Sequence, residues 1–248
     1  MRQQPHIAGL AEFSKGRSMP GIYSDGAYLT KNPSWHAENS PWKARQIEAI
    51  LRKNAVVPGT IAEVGCGAGE ILVQLQKALP DADYSGFEIS PQAFALCRER
   101  ESARIHYHLK DLLEDNAAYF DVLLVIDVFE HVDDYLGFLK RVRDKARFKV
   151  FHIPLDLSLQ ALFRVSPILE QRESVGHLHY FFKDTALATL KYCGYEVIES
   201  FYTAVGFEGS NLSLRSKLLK LPRRLMFKLN ADVAVRILGG YSLLVLAR

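Results

Sequence analysis

Short apolar runs alternate along the chain with stretches of helical periodicity, and glycine, proline or polar residues separate them. The central run, residues 122–126, is unbroken, which is typical of a parallel strand buried on both faces. The pattern predicts strands over 61–64, 84–89, 104–109, 120–128 and 148–153, with helices over 69–79, 91–102 and 133–146. Strands that alternate with helices of this length predict a parallel sheet with right-handed crossovers.

The two ends of the chain extend this core. Residues 1–34 are rich in glycine, proline and polar residues, and they predict a loose arm. Helical spacing follows over 35–54, with Ser40 as the expected N-cap and Pro41 in the first turn. Beyond the parallel strands, the pattern predicts an insertion at 155–182, a helix at 183–193, a strand at 195–203, a helical insertion at 211–238 and a strand at 241–247.

We therefore expect an α/β fold: a doubly wound, seven-stranded, mostly parallel sheet with an antiparallel C-terminal edge strand pair and helical insertions. An N-terminal arm and lid helix (1–54) would precede the main domain (55–248). The three cysteines form no CxxC pair, which predicts reduced thiols in a cytoplasmic protein. No apolar run has the length that a signal peptide or a membrane-spanning helix needs.

The segment E-V-G-C-G-A-G at residues 63–69 follows a predicted strand and opens a helix. Its glycines permit positive φ angles and let a ligand approach the backbone closely. A dinucleotide fingerprint needs G-x-G-x-x-G, but here the third glycine comes one residue early and Glu70 would face the pyrophosphate. A ligand without phosphate, such as S-adenosylmethionine, fits better: Glu63 can balance its cationic end, and backbone N–H groups at the helix start can meet its carboxylate.

Three acidic residues, Glu88, Asp111 and Asp127, lie at the carboxyl ends of three successive predicted strands. The carboxyl ends of parallel strands meet at one edge of the sheet, where ligands bind in open α/β folds. A carboxylate there can accept two hydroxyl hydrogen bonds. The alternative, that these acids only cap the following helices, fits the same residues.

Residues 63–69 resemble the E/D-x-G-x-G-x-G motif of class I S-adenosylmethionine-dependent methyltransferases, and D-V-F-E-H-V at 127–132 resembles their D-V-L-E-H segment. The resemblance is close over 55–155 and implies a Rossmann-like methyltransferase fold. It also implies that Glu88 binds the ribose hydroxyls, that Asp111 accepts from the adenine amino group and that Leu112 packs on the ring. The implied cofactor-binding residues are Glu63, Gly65, Cys66, Gly67, Gly69, Glu88, Ile89, Asp111, Leu112, Asp127 and Val128.

Two histidines are candidate catalytic bases. His131 follows the fourth strand in the region that the resemblance assigns to methyl transfer, and histidine titrates near neutrality. His152 lies in the fifth strand, with its side chain on the opposite face from Phe151 and Ile153. A role limited to capping or to packing against the cofactor fits His131 equally well. For His152, a place in the core or on the sheet face is the commoner outcome for a histidine in a strand.

Two further segments could contact the acceptor. Residues 176–182 resemble an H-L-H-F-F stretch of related small-molecule methyltransferases, which makes His177, His179 and Tyr180 candidates. Tyr23, Trp35 and His36 could belong to a lid that excludes water, although simple packing explains them as well. We expect no metal, because no third ligand at a recognised spacing accompanies the two histidines.

The insertion at 211–238 interleaves basic and apolar residues. Such a helix can lie on an anionic membrane surface, or it can be a solvated cover over the substrate. A net charge of +3 and the lack of an N-P-P-Y-like segment argue against a nucleic acid partner. The sequence predicts a methyltransferase of a small-molecule hydroxyl or amine, such as a sugar or secondary metabolite. The alternatives are an inactive S-adenosylmethionine-binding regulatory or interaction protein, a methyltransferase of a lipid-linked substrate at the membrane, and a nicotinamide oxidoreductase. No oligomeric state is predicted.

Overall fold

The structure is a computed structural model that describes residue 32, residues 34–35, 37–204 and 223–248. The strands are β1 (Thr60–Val64), β2 (Asp83–Glu88), β3 (Ile105–Leu109), β4 (Phe120–Ile126), β5 (Ala146–Leu155), β6 (Val197–Thr203) and β7 (Tyr241–Ala247). The helices are α1 (Ser40–Lys53), α2 (Glu70–Ala78), α3 (Pro91–Arg98), α4 (Tyr135–Arg143), α5 (Leu159–Arg164), α6 (Ser166–Ser174), α7 (Lys183–Tyr192) and α8 (Ala231–Leu238). Short 3-10 turns cover Ala37–Asn39, Leu112–Glu114 and Phe129–His131.

The seven strands form one sheet in the order β3-β2-β1-β4-β5-β7-β6. Strands β1 to β5 run parallel, and β7 is antiparallel to both β5 and β6. The predicted fold class is therefore confirmed. The chain winds outward in both directions from β1 and β4, and this change of direction opens a crevice at the carboxyl ends of the two strands.

Two apolar layers cover the faces of the sheet. Helices α1, α2 and α3 contribute to one layer through Ile47, Leu72 and Cys97 among others, and α4, α7 and α8 contribute to the other. The side chains of β4 alternate between the layers, since successive strand residues point to opposite faces. This position explains the unbroken apolar run at 122–126, which serves both layers.

Several boundaries differ from the sequence prediction. The strand predicted to reach residue 128 ends at Ile126, because Asp127 has a φ of +54° and leaves the extended conformation. Strand β5 is longer than predicted, because β7 pairs with it from Lys149 to Leu155. Helix α1 begins at Ser40 rather than at residue 35, so Asn39 and not Ser40 is its N-cap.

The two predicted insertions have different outcomes. The segment at 155–182 contains α5 and α6. In the second insertion, residues 211–222 lie outside the described part, residues 223–229 are helical, and α8 starts anew after Asn230. The Asn230 side chain caps α8 by accepting from the Val233 N–H at 3.0 Å. Among the described helices, none combines the length and the apolar character that crossing a bilayer requires.

The packing of α1 on the sheet can be tested at Ile47, which is fully buried between the helix and the sheet. Replacing it with alanine, Ile47→Ala, should lower the free energy of unfolding by about 2–4 kcal/mol through lost burial and the resulting cavity. Urea unfolding followed by circular dichroism measures the loss. Arg45→Ala on the exposed side of the same helix should change stability by less than about 0.5 kcal/mol. Equal effects of the two substitutions would contradict this placement of α1.

Candidate active site

A cavity of about 660 Å³ lies at the carboxyl edge of the sheet. Its wall contains the glycine loop after β1, the ends of β2, β4 and β5, and residues of α1. The end of α6 and the loop that follows it contribute Gln171, Val175 and His177 to another part of the wall. The cavity therefore occupies the crevice that the strand order creates.

The three loop glycines need the left-handed backbone region. Gly65, Gly67 and Gly69 have φ angles of +66°, +55° and +78°, which glycine adopts at little cost. The N–H groups of Gly65 and Cys66 donate to the Phe87 carbonyl at 2.8 and 3.1 Å, so the loop is tied to β2. The loop conformation is set by backbone geometry before any ligand is considered.

Tyr107 of β3 supports the loop from below. Its hydroxyl donates to the Gly69 carbonyl oxygen at 2.7 Å. A Cβ atom on Gly69 would lie 2.6 Å from the tyrosine ring, and one on Gly86 would lie 2.4 Å from it. Both positions therefore exclude a side chain. Above the loop, a Cβ on Gly67 would lie 2.6 Å from the ring of Trp35, which places this predicted lid residue on the cavity wall.

The Glu88 carboxylate is fixed at the end of β2. One oxygen accepts from the Gly67 N–H at 2.8 Å, and the other accepts from the N–H groups of Ile89 and Ser90 at 2.8 Å each. Burial raises the pKa of Glu88, and the three backbone hydrogen bonds oppose that rise. Glu88 thus links the loop to β2 and also lines the cavity, where its one remaining lone pair, on the oxygen bonded to Gly67, can accept from a hydroxyl group.

Glu63 contributes a second buried carboxylate to the wall. Its Oε2 atom has no hydrogen-bond partner in the described part of the chain. Burial raises the pKa of Glu63 well above the ordinary value, and Lys43 acts in the opposite direction. A buried carboxylate oxygen without a partner is costly, and a cationic ligand group would satisfy it.

Four polar side chains form a chain of hydrogen bonds beside the end of β4. Lys43 Nζ donates to Asp127 Oδ2 at 2.6 Å, His152 Nδ1 lies 2.6 Å from Asp127 Oδ1, and His152 Nε2 lies 3.0 Å from Thr203 Oγ1. Both ring nitrogens of His152 are therefore engaged. The positive φ of Asp127 costs strain, which surrounding contacts must hold.

Electrostatics stabilise this network in its charged form. Although burial acts to raise the pKa of Asp127, His152 and Lys43 hold it well below its usual range. Burial alone would lower the pKa of Lys43, but the Asp127 carboxylate raises it above the ordinary value. The pair is only partly exposed, with side-chain exposures of 15% for Lys43 and 24% for Asp127. It is an ion pair at neutral pH.

His131 and His177 meet at another part of the wall, with ring centroids 4.9 Å apart. His131 Nδ1 donates to the Gly176 carbonyl at 3.1 Å, which places the lone pair of the neutral ring on Nε2. Burial and the neighbouring His177 lower the pKa of His131 to about 4. His177 Nδ1 lies 2.6 Å from Asp156 Oδ2.

Some predicted residues lie away from the cavity. Asp111 accepts from the Leu113 N–H at 2.9 Å and caps a 3-10 turn, and Leu112 is fully buried in the core. His179 Nε2 contacts the Val132 carbonyl at 2.9 Å. The Tyr180 hydroxyl donates to the His177 carbonyl at 3.0 Å. The structure does not bring these four side chains to the wall.

The remaining predicted residues are distributed as follows. Most of the predicted cofactor-binding residues line the cavity: Glu63, Gly65, Cys66, Gly67, Gly69, Glu88, Ile89, Asp127 and Val128. Tyr23 and His36 lie outside the described residues. Their expected contact with the acceptor stays a prediction.

Sequence reasoning missed two residues of this region. Lys43 lies on the helix face that also carries Ala44 and Ile47, and a charge on an apolar face is the signal that could have found it. Glu130 is 1% exposed, and neither of its carboxylate oxygens has a hydrogen-bond partner among the described residues. Burial raises the pKa of Glu130 well above its usual value, and the nearby Asp127 carboxylate adds to the rise.

The Lys43–Asp127 pair predicts a measurable coupling free energy. A double-mutant cycle with Lys43→Met and Asp127→Asn should give about 1.5–3 kcal/mol in guanidinium unfolding at pH 7, because water screens this pair poorly. The matched control is the pair of Lys53 and Glu199, whose lysine is 66% exposed. Lys53→Met and Glu199→Gln should show no measurable coupling, because water screens this exposed pair. A coupling near zero for the first pair would refute the buried ion pair.

Comparisons with known proteins agree with this geometry. A family model described as "Methyltransferase domain" matches residues 62–147. Over 101 residues the chain is 31% identical to trans-aconitate 2-methyltransferase of Rhodopseudomonas palustris (strain HaA2), and this alignment covers 38% of the chain but only 37% of that protein.

Two solved structures share the fold. The plantazolicin methyltransferase BpumL in complex with SAH is 16% identical, with a TM-score of 0.60 and 96% of each chain covered. The N-methyltransferase NodS of Bradyrhizobium japonicum WM9, in complex with S-adenosyl-L-homocysteine, is 15% identical, with a TM-score of 0.51 and coverage of 82% of this chain and 86% of NodS. The family match falls on the segment from β1 to the beginning of β5, where the glycine loop lies. Residues 62–147 thus match a methyltransferase domain, and the chain shares the fold of these two methyltransferases.

Proposed function

We propose that the protein binds S-adenosylmethionine in the 660 Å³ cavity and transfers its methyl group to a small molecule that carries a hydroxyl or amine. One observation carries this proposal. A single cavity joins the glycine loop and its two buried carboxylates, Glu63 and Glu88, to the paired histidines His131 and His177.

The loop end of the cavity suits each polar group of the cofactor. The unpartnered Oε2 of Glu63 would face the methionine ammonium, and backbone N–H groups at the start of α2 would face the carboxylate. Glu88 would accept from a ribose hydroxyl. Ile89, which is exposed on the wall, would offer an apolar surface to the adenine ring. Asp111 caps its 3-10 turn through Oδ1, so the adenine amino group would donate to Oδ2.

The other end of the cavity orients the acceptor. When bound, S-adenosylmethionine supplies a methyl carbon on a sulfonium, and its transfer leaves S-adenosylhomocysteine. The task of the chain is to align the acceptor atom in line with the carbon–sulfur bond and to exclude water. His131 and His177 present polar ring atoms to the acceptor, and the Lys43–Asp127–His152 network holds the wall beside them.

The available volume supports a small acceptor. A second cavity of about 420 Å³ shares Pro154, Gln171, His177 and Ser242 with the first, and both volumes are typical of small-molecule sites. The name trans-aconitate 2-methyltransferase also indicates a small acceptor for the relative that matches residues of this domain.

A lipid-linked acceptor at a membrane surface is the second candidate. Three apolar side chains of the helical segment 223–229 and α8 are exposed: Leu225, Leu229 and Val233. The Leu229 side chain is 79% exposed. The cations Arg224 and Lys228 are exposed in the same segment. This combination suits an anionic bilayer surface. It lies within the insertion for which the sequence leaves two alternatives open, a membrane contact and a solvated cover.

Cofactor binding should depend on Glu88. In calorimetric titrations with S-adenosylhomocysteine, Glu88→Ala should weaken binding by about 1–3 kcal/mol, or roughly 5- to 150-fold, because a ribose hydroxyl and loop N–H groups lose their acceptor. Glu99→Ala, which removes an exposed carboxylate after α3, serves as the control and should leave the Kd unchanged. Failure of the wild-type protein to bind the ligand would overturn the proposed function. Binding without methyl transfer to any of a broad acceptor panel would favour the inactive regulatory protein instead.

Membrane contact has its own test. Flotation with phosphatidylserine-containing vesicles should retain the protein, and Lys228→Glu should reduce the bound fraction several-fold through lost attraction to anionic lipid. Lys77→Glu, which changes an exposed residue of α2 on the other face of the sheet, should leave the bound fraction unchanged. Equal loss in both variants, or no binding by the wild type, would remove the lipid-linked candidate.

A further inference from the structure

We propose that Glu130, His131 and His177 bind a divalent transition-metal ion at the acceptor end of the cavity. One ligand atom from each residue lies within 4.8 Å of the others. Two of these residues are adjacent in the chain, and the third comes from the loop before α7. Backbone hydrogen bonds hold the two segments together, since the Leu178 and His179 N–H groups donate to the Glu130 carbonyl at 2.8 and 3.1 Å.

The cluster is close to the size that an ion requires. Nitrogen and oxygen ligands sit about 2.0–2.2 Å from Zn²⁺, which puts the ligand atoms about 3.3 Å from one another. His131 Nε2 and Glu130 Oε1 are 3.9 Å apart. Side-chain shifts of about 1 Å or less would bring the three ligand atoms to coordinating distance.

Both histidines are oriented as metal ligands are. The Nδ1–H of His131 donates a hydrogen bond to the Gly176 carbonyl, and the Nδ1–H of His177 donates one to the Asp156 carboxylate. In each ring the lone pair is therefore on Nε2. Metal-bound histidines characteristically donate their other ring N–H to a carbonyl or carboxylate, which fixes the tautomer and the ring direction. Here both histidines of one cluster have such a partner.

Glu130 provides the independent observation. Its carboxylate is 1% exposed and neither oxygen has a hydrogen-bond partner in the described part of the chain. Burying a carboxylate in this way is costly unless a cation or donor compensates it. The sequence predicts no metal, because no third ligand at a recognised spacing accompanies His177 and His179. The ligands instead come from residues about fifty positions apart in the chain.

The ligand set indicates the ion and its open positions. Two histidines and one carboxylate bind Zn²⁺, Mn²⁺, Fe²⁺ or Co²⁺, and three protein ligands leave coordination positions for water or substrate. His131 and His177 line the cavity, so these positions face the acceptor. His131 then acts as a ligand, in place of the base that the sequence predicted.

This role of the ion rests on the proposed methyl transfer, and it narrows the acceptor to an oxygen nucleophile. A hydroxyl held at an open position loses its proton to solvent more readily, because the cation stabilises the oxygen anion. The oxygen lone pair then forms the new bond to the methyl carbon, while the electron pair of the carbon–sulfur bond moves to sulfur.

Metal titration tests the site directly. Protein dialysed against a chelator is titrated with Zn²⁺ by calorimetry and with Co²⁺ by visible absorption. We expect one ion per chain with a Kd below about 1 µM. Glu130→Gln and His177→Ala should each weaken the Kd by at least about 100-fold, and Asp156→Asn by about 10- to 100-fold through lost orientation of His177. His106→Ala, which removes an exposed histidine of β3, is the matched control and should bind as the wild type does.

Two results would overturn the metal site: no ion binding by the wild type, or equal binding by wild type, Glu130→Gln and His177→Ala. A parallel titration with S-adenosylhomocysteine separates this failure from failure of the proposed function. Retained cofactor binding without ion binding leaves the methyltransferase intact and removes the metal. Ion binding without cofactor binding leaves the metal site and removes the methyl transfer.

Discussion

The ion pair between Lys43 and Asp127 connects the N-terminal helix to the end of the central strand. Asp127 stands where β4 must turn away from the sheet, and it does so with a positive φ that only surrounding contacts can hold. Lys43 and His152 supply these contacts from α1 and β5. The segment that follows contains Glu130 and His131. The position of Glu130 and His131 therefore depends on one partly buried carboxylate and its two partners.

The sheet could be predicted from the sequence because its signals are local. The apolar run at 122–126 serves both layers, and the glycine loop requires positive φ angles at three fixed positions. Glu63 and Glu88 could be placed at the cavity for the same reason, since each lies near the carboxyl end of a predicted parallel strand. Asp111 also follows a strand, and its carboxylate caps a local 3-10 turn. Position at a strand end does not decide between a cap and a ligand.

The parts that escaped prediction depend on contacts between distant segments. Lys43 forms its ion pair with Asp127, which lies 84 positions further along the chain. Glu130 and His177 meet because backbone hydrogen bonds join the D-V-F-E-H segment to the loop before α7. Neither pairing produces a spacing that can be seen in the sequence. What the sequence does offer is a charge on an apolar helix face, whose meaning needs the tertiary structure.

Tyr107 has a consequence for how this chain can change over evolutionary time. Its ring fills the space that side chains at Gly69 and Gly86 would need, and its hydroxyl holds the Gly69 carbonyl. A larger residue at either glycine requires that a smaller residue first replace Tyr107. A smaller residue at position 107, in turn, removes the hydrogen bond that holds the loop. Residues 69, 86 and 107 must therefore change together or remain unchanged. The constraint originates in β3, the edge strand of the sheet.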